Sequence, residues 1–157
     1  MKTALEFCVL NPGLADALGD FFEAIAASED SSLFHPHPLT RPAAIELCQY
    51  DGSDLYLAAV CDGRVLGYGL LRGWDEGYTI PSLGIALANA ARGTGLARAF
   101  MLYLHAAARQ RGAKRIRLTV YRRNTRAVAL YKSLGYRFEP KNEAEEIGLL
   151  DFGTGMP

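Results

Sequence analysis

Residues 78–121 carry the pattern that most limits what this chain can fold into: an apolar run, a glycine-bearing loop, a helix and a second apolar run. Leu96, Phe100, Met101, Leu104 and Ala108 recur at helical spacing over 95–111, and Gly112 stops that helix. The flanking runs, 78–87 and 116–121, read as strands. A helix joining two strands returns the chain to the same sheet, which makes the strands parallel neighbours. Pro81 and Gly84 predict a bulge or an early break in pairing within the first of them.

The rest of the chain surrounds this unit. A strand over 5–10 is followed by Asn11-Pro12-Gly13, where Asn11 caps and Pro12 suits the first turn of a helix over 14–27. A polar, proline-containing connection over 28–40 leads to a short helix over 42–49. Strands 55–61 and 65–72 meet at Asp62-Gly63, a hairpin signal, and 73–77 is a second turn. The loop 89–94 precedes the long helix, a helix over 124–134 ends at Gly135, and strands 136–138 and 147–152 close the chain. The fold class is α/β: a mixed, mostly antiparallel sheet with a central parallel β-α-β unit and helices on both faces.

The 157 residues, half of them hydrophobic, suit a single domain over 1–157 with a sizeable core. No apolar run is long enough to span a membrane, and the N-terminus has no apolar signal-peptide core before Glu6. Cys8, Cys48 and Cys61 are an odd, widely spaced set, which points away from disulfides and zinc and towards a reducing cytoplasm.

Charge is sorted along the chain. No acid occurs between Gly77 and Phe138, where twelve Lys and Arg residues fall, whereas twelve acids face four bases up to Glu76. The basic stretch suits a polyanionic ligand, nucleic acid included, or a solvated face. Excess acid in the first half suits a cationic substrate or an acidic surface.

Two strings lie inside the basic stretch. Arg92-Gly93-Thr94-Gly95-Leu96-Ala97 reads R-x-x-G-x-A at a helix start. Unpaired N–H groups, a positive dipole end and glycines that admit a close backbone approach suit a phosphate there. It is not a P-loop, and Arg98 stands where a dinucleotide fingerprint needs its third glycine. The second string runs from Asn124 to Tyr136 and reads N-x-x-A-x-x-L-Y-x-x-x-G-Y. Asn124 and Tyr131 are seven residues apart, so they share a helix face with Ala127 between them. Asn124 reads equally as an N-cap, and Tyr131 as a core aromatic.

In this order and spacing, the strings and the elements around them resemble the GNAT superfamily of N-acetyltransferases, over most of the chain. The resemblance implies acetyl-CoA as cosubstrate. It implies pyrophosphate binding by Arg92, Gly93, Thr94, Gly95, Leu96 and Ala97, with a further contact from Arg98. Backbone groups at Ile85, Ala86 and Leu87 are expected to pair with the pantetheine arm, one N–H polarising the thioester carbonyl. Asn124 and Ala127 border the cofactor, and Tyr131 protonates the departing thiolate. Ile85 and Leu87 also suit a buried strand, and the two roles are compatible because only their backbone is recruited.

The acceptor side is less marked. Some relatives carry a glutamate on the strand before the phosphate loop, and 78–87 has no carboxylate. Glu76, in the preceding turn, is the expected base, with water or an already neutral amine as alternatives. Phe34 and His35, in Phe34-His35-Pro36-His37-Pro38, fall where the family borders its acceptor pocket, and Trp74 and Tyr78 are expected opposite. No metal is expected, since His35 and His37 lack a third ligand. The expected partner is a small-molecule or peptide amine, with a homodimer left open. The rival readings are a non-catalytic acyl-CoA-binding domain and a nucleic-acid-binding regulatory domain using 92–137.

Overall fold

The computed structural model describes residues 4–153; Met1–Thr3 of the expected domain and leader-free start, and the last four residues, lie outside them. Seven strands, β1 (Leu5–Val9), β2 (Leu55–Cys61), β3 (Arg64–Arg72), β4 (Ser82–Leu87), β5 (Arg115–Tyr121), β6 (Arg137–Pro140) and β7 (Glu145–Asp151), form one sheet. Its order is β1-β2-β3-β4-β5-β7-β6. Four helices pack on it: α1 (Ala15–Ala26), α2 (Arg41–Cys48), α3 (Leu96–Gln110) and α4 (Thr125–Ser133). β4 and β5 are parallel and every other neighbouring pair is antiparallel. The α/β class, the mixed sheet and the central β-α-β unit are as expected.

Side chains alternate between the two faces of the sheet, and each face has its own core. Leu57, Leu71, Leu83, Ile116, Leu118 and Val120 pack with Phe100, Met101 and Leu104 of α3 and Tyr131 of α4. Ala58, Tyr68 and Leu70 pack with Leu18, Phe22 and Ile25 of α1 and Ala44 of α2. Thr40 caps α2, accepting from the Ala43 N–H at 3.2 Å, whereas Asn11, expected to cap the first helix, accepts from the Gly13 N–H at 3.0 Å in a 3-10 turn over Pro12–Leu14, and α1 starts after it with no side-chain cap. Gly69 in β3 lets α3 sit close, because a Cβ there would stand 2.8 Å from the Phe100 ring.

The expected 78–87 strand is corrected at its start and in its pairing. β4 begins at Ser82, since Gly73–Tyr78 forms a turn closed by the Tyr78 N–H to Gly73 carbonyl bond at 2.9 Å. The expected bulge is absent from β4, whose register with β3 runs unbroken from Arg72↔Ser82 to Gly67↔Leu87. A register shift falls instead between Ala59 and Val60. The early break lies on the other edge: β4 and β5 pair at Ser82↔Arg117 and then separate.

Candidate active site

That separation opens a seam in the middle of the sheet. The Pro81 carbonyl accepts from the Arg117 N–H at 3.0 Å, while the Ala88 N–H donates to Leu66 on the β3 side at 2.8 Å. Main-chain groups alternate in direction along a strand. Those of Leu83, Ile85 and Leu87 therefore face the seam, and those of Gly84 and Ala86 face β3.

A cavity of about 470 Å³ occupies the seam. Its wall includes Ile85, Ala86, Leu87, Arg92, Gly93, Gly95, Ala97, Asn124, Ala127, Tyr131 and Phe34. It takes residues from both cores, Ile25 and Phe34 on the α1 face and Leu83, Val120 and Tyr131 on the other, so it passes through the sheet.

The starts of α3 and α4 both reach this wall, through Ala97 and through Thr125, Arg126 and Ala127. Gly93 and Gly95 have φ of 75° and 88°, left-handed values that favour glycine, and a Cβ on either would meet nothing within 4 Å. Among the described residues, the N–H groups of Gly93, Gly95, Ala97 and Arg98 have no acceptor. Arg92, Arg123 and Arg126 add three cations to two positive helix ends. The loop is thus a ready cradle for an anion.

Tyr131 is 8% exposed, and its hydroxyl has no hydrogen-bond partner among the described residues. Among the described residues no wholly buried side-chain polar atom lacks a partner, so that hydroxyl is open to the cavity it lines. Its ring rests on Tyr136 with centroids 5.7 Å apart. Burial pushes its pKa up to about 12, which keeps it protonated at neutral pH. Asn124 accepts from the Ala127 N–H at 3.3 Å, so the cap role is filled while the residue also borders the cavity.

Other expected site residues do not line the cavity. The Thr94 hydroxyl donates to the Ala91 carbonyl at 2.5 Å and accepts from the Leu96 N–H at 3.4 Å, which shapes the loop. Leu96 is buried in the core, and the Arg98 side chain donates to the Ser133 hydroxyl at 3.1 Å. His35 Nε2 and the Tyr121 hydroxyl are hydrogen-bonded at 2.9 Å. Trp74 lies under the Arg111 guanidinium, 4.6 Å from its ring centroid, and Tyr78 is 62% exposed. Glu76 is exposed in the Gly73–Tyr78 turn. That turn is fixed by Asp54, whose Oδ1 accepts from the N–H groups of Gly73, Trp74 and Asp75 at 3.0, 2.9 and 3.2 Å.

Some wall residues carried no sequence signal. Asp30, on a 3-10 turn at Glu29–Ser32, ion-pairs with Arg92. Arg123 donates to the Ser32 carbonyl at 3.0 Å and covers the Tyr121 ring at 4.9 Å. Arg123 and Arg126 were visible only as part of the basic stretch. Much of that stretch is locally engaged: Arg115 and Arg137 meet Asp151, and Arg122 meets Glu146. None of the cysteines lines the cavity. Among the described residues there is no cluster of three or more His, Cys, Asp or Glu fit for a metal, and no helix long and apolar enough to cross a membrane.

Comparison with known proteins agrees with this geometry. The model of the Acetyltransferase (GNAT) family matches residues 22–136. An acetyltransferase of the GNAT family from Streptococcus pneumoniae superposes with a TM-score of 0.79 at 20% identity, over 96% of this chain and 100% of that one. A GCN5-related N-acetyltransferase from Kribbella flavida gives 0.74 at 26% identity, over 94% and 98%. An N-acetyltransferase from Staphylococcus aureus gives 0.70 at 17% identity, over 94% and 98%. No curated protein matches the chain in sequence. The family match spans the seam, the glycine loop and the helix that carries Tyr131, and the chain belongs to the GNAT family of acetyltransferases.

Proposed function

We propose that the chain is an acetyl-CoA-dependent N-acetyltransferase that transfers the acetyl group to a primary amine by direct attack. The observation that carries the reading is one cavity shared by three features. These are an anion cradle at two helix starts, a strand edge with free main-chain groups, and a protonated, unpartnered tyrosine.

The residues present fit the cosubstrate. Gly93, Gly95 and Ala97 offer N–H groups to a pyrophosphate, with Arg92, Arg123 and Arg126 around them. Ile85 and Leu87, beyond the Ser82↔Arg117 rung, offer main-chain donors and acceptors to an amide-bearing arm lying along β4, as a further strand would. When bound, acetyl-CoA supplies the thioester carbonyl that the amine attacks. A β4 N–H stabilises the negative charge that grows on the carbonyl oxygen. Tyr131 gives its proton to the sulfur as the carbon–sulfur bond breaks. Asp30, the carboxylate in the wall, is held by Arg92, so the amine's proton leaves to water or the amine arrives neutral. The absence of a cysteine from the wall favours direct attack over an acyl-enzyme.

The test is an acetyl-CoA turnover screen against a panel of amines, read by free thiol release. Turnover with at least one amine and a higher Tm with CoA are expected. A melting curve that CoA leaves unchanged would count against the reading.

A further inference from the structure

A row of charge crosses three strands on the face away from α3. Arg72 pairs with Ser82, and Ser82 with Arg117, in the sheet register. Directly paired residues point to the same face. Strand spacing of about 4.8 Å places the two arginine Cα atoms roughly 10 Å apart, with Ser82 between them. The neighbours fix which face this is. Ile116, Leu118 and Val120 belong to the α3 core, so Arg117 and Thr119 point the other way, where Tyr68 and Leu70 meet α1.

Arg72 and Arg117 are half-buried, and among the described residues neither forms an ion pair with a carboxylate. Arg92, Arg115, Arg122 and Arg137 each have one. Arg72 gives one N–H to the Pro36 carbonyl at 3.1 Å and another towards the Tyr56 phenol, which leaves the remaining donors of its five to fill. A half-buried cation without a counter-charge is costly, and a bound anion removes that cost.

The row sits at the closed end of the seam. Gly84 and Thr119, two residues further along β4 and β5 on the same face, line the cavity, as Phe34 does. The connection that follows Phe34 crosses above them, with His35 held by Tyr121 and Pro36 by Arg72. Arg72, Ser82 and Arg117 themselves lie just beyond the cavity wall, one step along the same face from Gly84 and Thr119.

We propose that Arg72 and Arg117, with Ser82 between them, bind an anionic group of the amine acceptor, which assigns the acceptor to amines that bear a carboxylate, such as amino acids. The inference rests on the acetyltransferase reading above. Guanidinium forks match a carboxylate in shape and charge, and the same pair repels polyamines. The local charge thus reverses the cationic acceptor that the acid-rich first half suggested.

Matched trios test this: an amino acid, its carboxamide and its decarboxylated amine, at saturating acetyl-CoA, with a phosphorylated amine as a fourth arm. The expected kcat/KM for the amino acid exceeds that of both uncharged-end analogues by about tenfold or more. Arg72→Gln and Arg117→Gln each lower it by about tenfold or more, leave the carboxamide within about twofold, and leave the CoA melting shift intact. Arg117→Lys restores part of the preference. Carboxamides or decarboxylated amines that turn over as well as the acids, or a preference that survives both variants, overturn the proposal. A phosphorylated amine that outruns the acids overturns the carboxylate assignment. Loss of the CoA melting shift in the wild type removes the acetyltransferase reading instead, so the two failures are distinct.

Discussion

Arg92 and Asp30, sixty-two residues apart, are ion-paired on the wall of the seam cavity. Any phosphate that uses Arg92 therefore competes with a carboxylate already in place. Asp30→Asn should tighten CoA binding by roughly 3- to 10-fold at low salt, while Arg92→Glu should abolish the CoA melting shift. Titration of CoA into each variant measures this. Equal affinity in Asp30→Asn and wild type would mean that the pair persists with ligand bound.

Tyr131→Phe should separate binding from chemistry. The ring still packs on Tyr136, so folding and CoA affinity change little. Loss of one positioned acid costs ~10²-fold or more, in kcat and kcat/KM together. Because burial holds the phenol up at about 12, its ionisation should give no alkaline fall in rate near neutrality. The deficit should shrink with acyl donors whose leaving thiol is more acidic. Wild-type turnover in Tyr131→Phe would leave the tyrosine a packing role only.

His105 predicts a limit on acid stability. It is 7% exposed and shares a 2.7 Å hydrogen bond with the Tyr136 hydroxyl. Burial, with Arg109 nearby, lowers its pKa to about 4. An unfolded histidine titrates near 6.5, so between these values the unfolded chain binds more protons. Stability is fully present above about 6.5 and is lost as pH falls towards 4. His105→Gln removes that titration, and its Tm should fall less over the same window. Parallel Tm–pH curves for the two proteins would contradict the assignment.

Asp54→Ala should lower the unfolding free energy by about 2–4 kcal/mol, because three main-chain N–H groups lose one buried acceptor. The turn they form lies outside the cavity wall, so CoA affinity should stay near wild type. Chemical denaturation and CoA titration read the two effects separately. A stability loss under about 0.5 kcal/mol would show that water replaces the carboxylate without cost.

The sequence made the β-α-β unit legible because α3 keeps strict helical spacing and Gly112 ends it at φ of 85°. The cradle was legible for the same local reason: glycines at 93 and 95 and a helix start are neighbours in the chain. What stayed hidden depends on distant pairings. Asp30 joins the site only because the α1–α2 connection crosses the sheet to reach Arg92. Arg72 and Arg117 come together only through the register at Ser82. Glu76 is close to the strand in sequence, but its place depends on a distant carboxylate: Asp54 fixes the turn in which Glu76 stands exposed, off the cavity wall. Pro81 announced a break in pairing, but not on which edge of β4 it would fall.

The single Ser82↔Arg117 rung has a mechanical meaning. β1–β4 hold together by ladders of five or more paired residues, and β5, β7 and β6 by ladders of four or more, but few bonds resist a relative twist of the two blocks. A ligand arm lying in the seam spans both blocks and stiffens the frame that grips it. Amide exchange at Ile85 and Leu87, which line the seam beyond that rung, should then slow most on loading. A sheet divided in this way would owe part of its rigidity to what it carries, and would become pliant again once the seam empties.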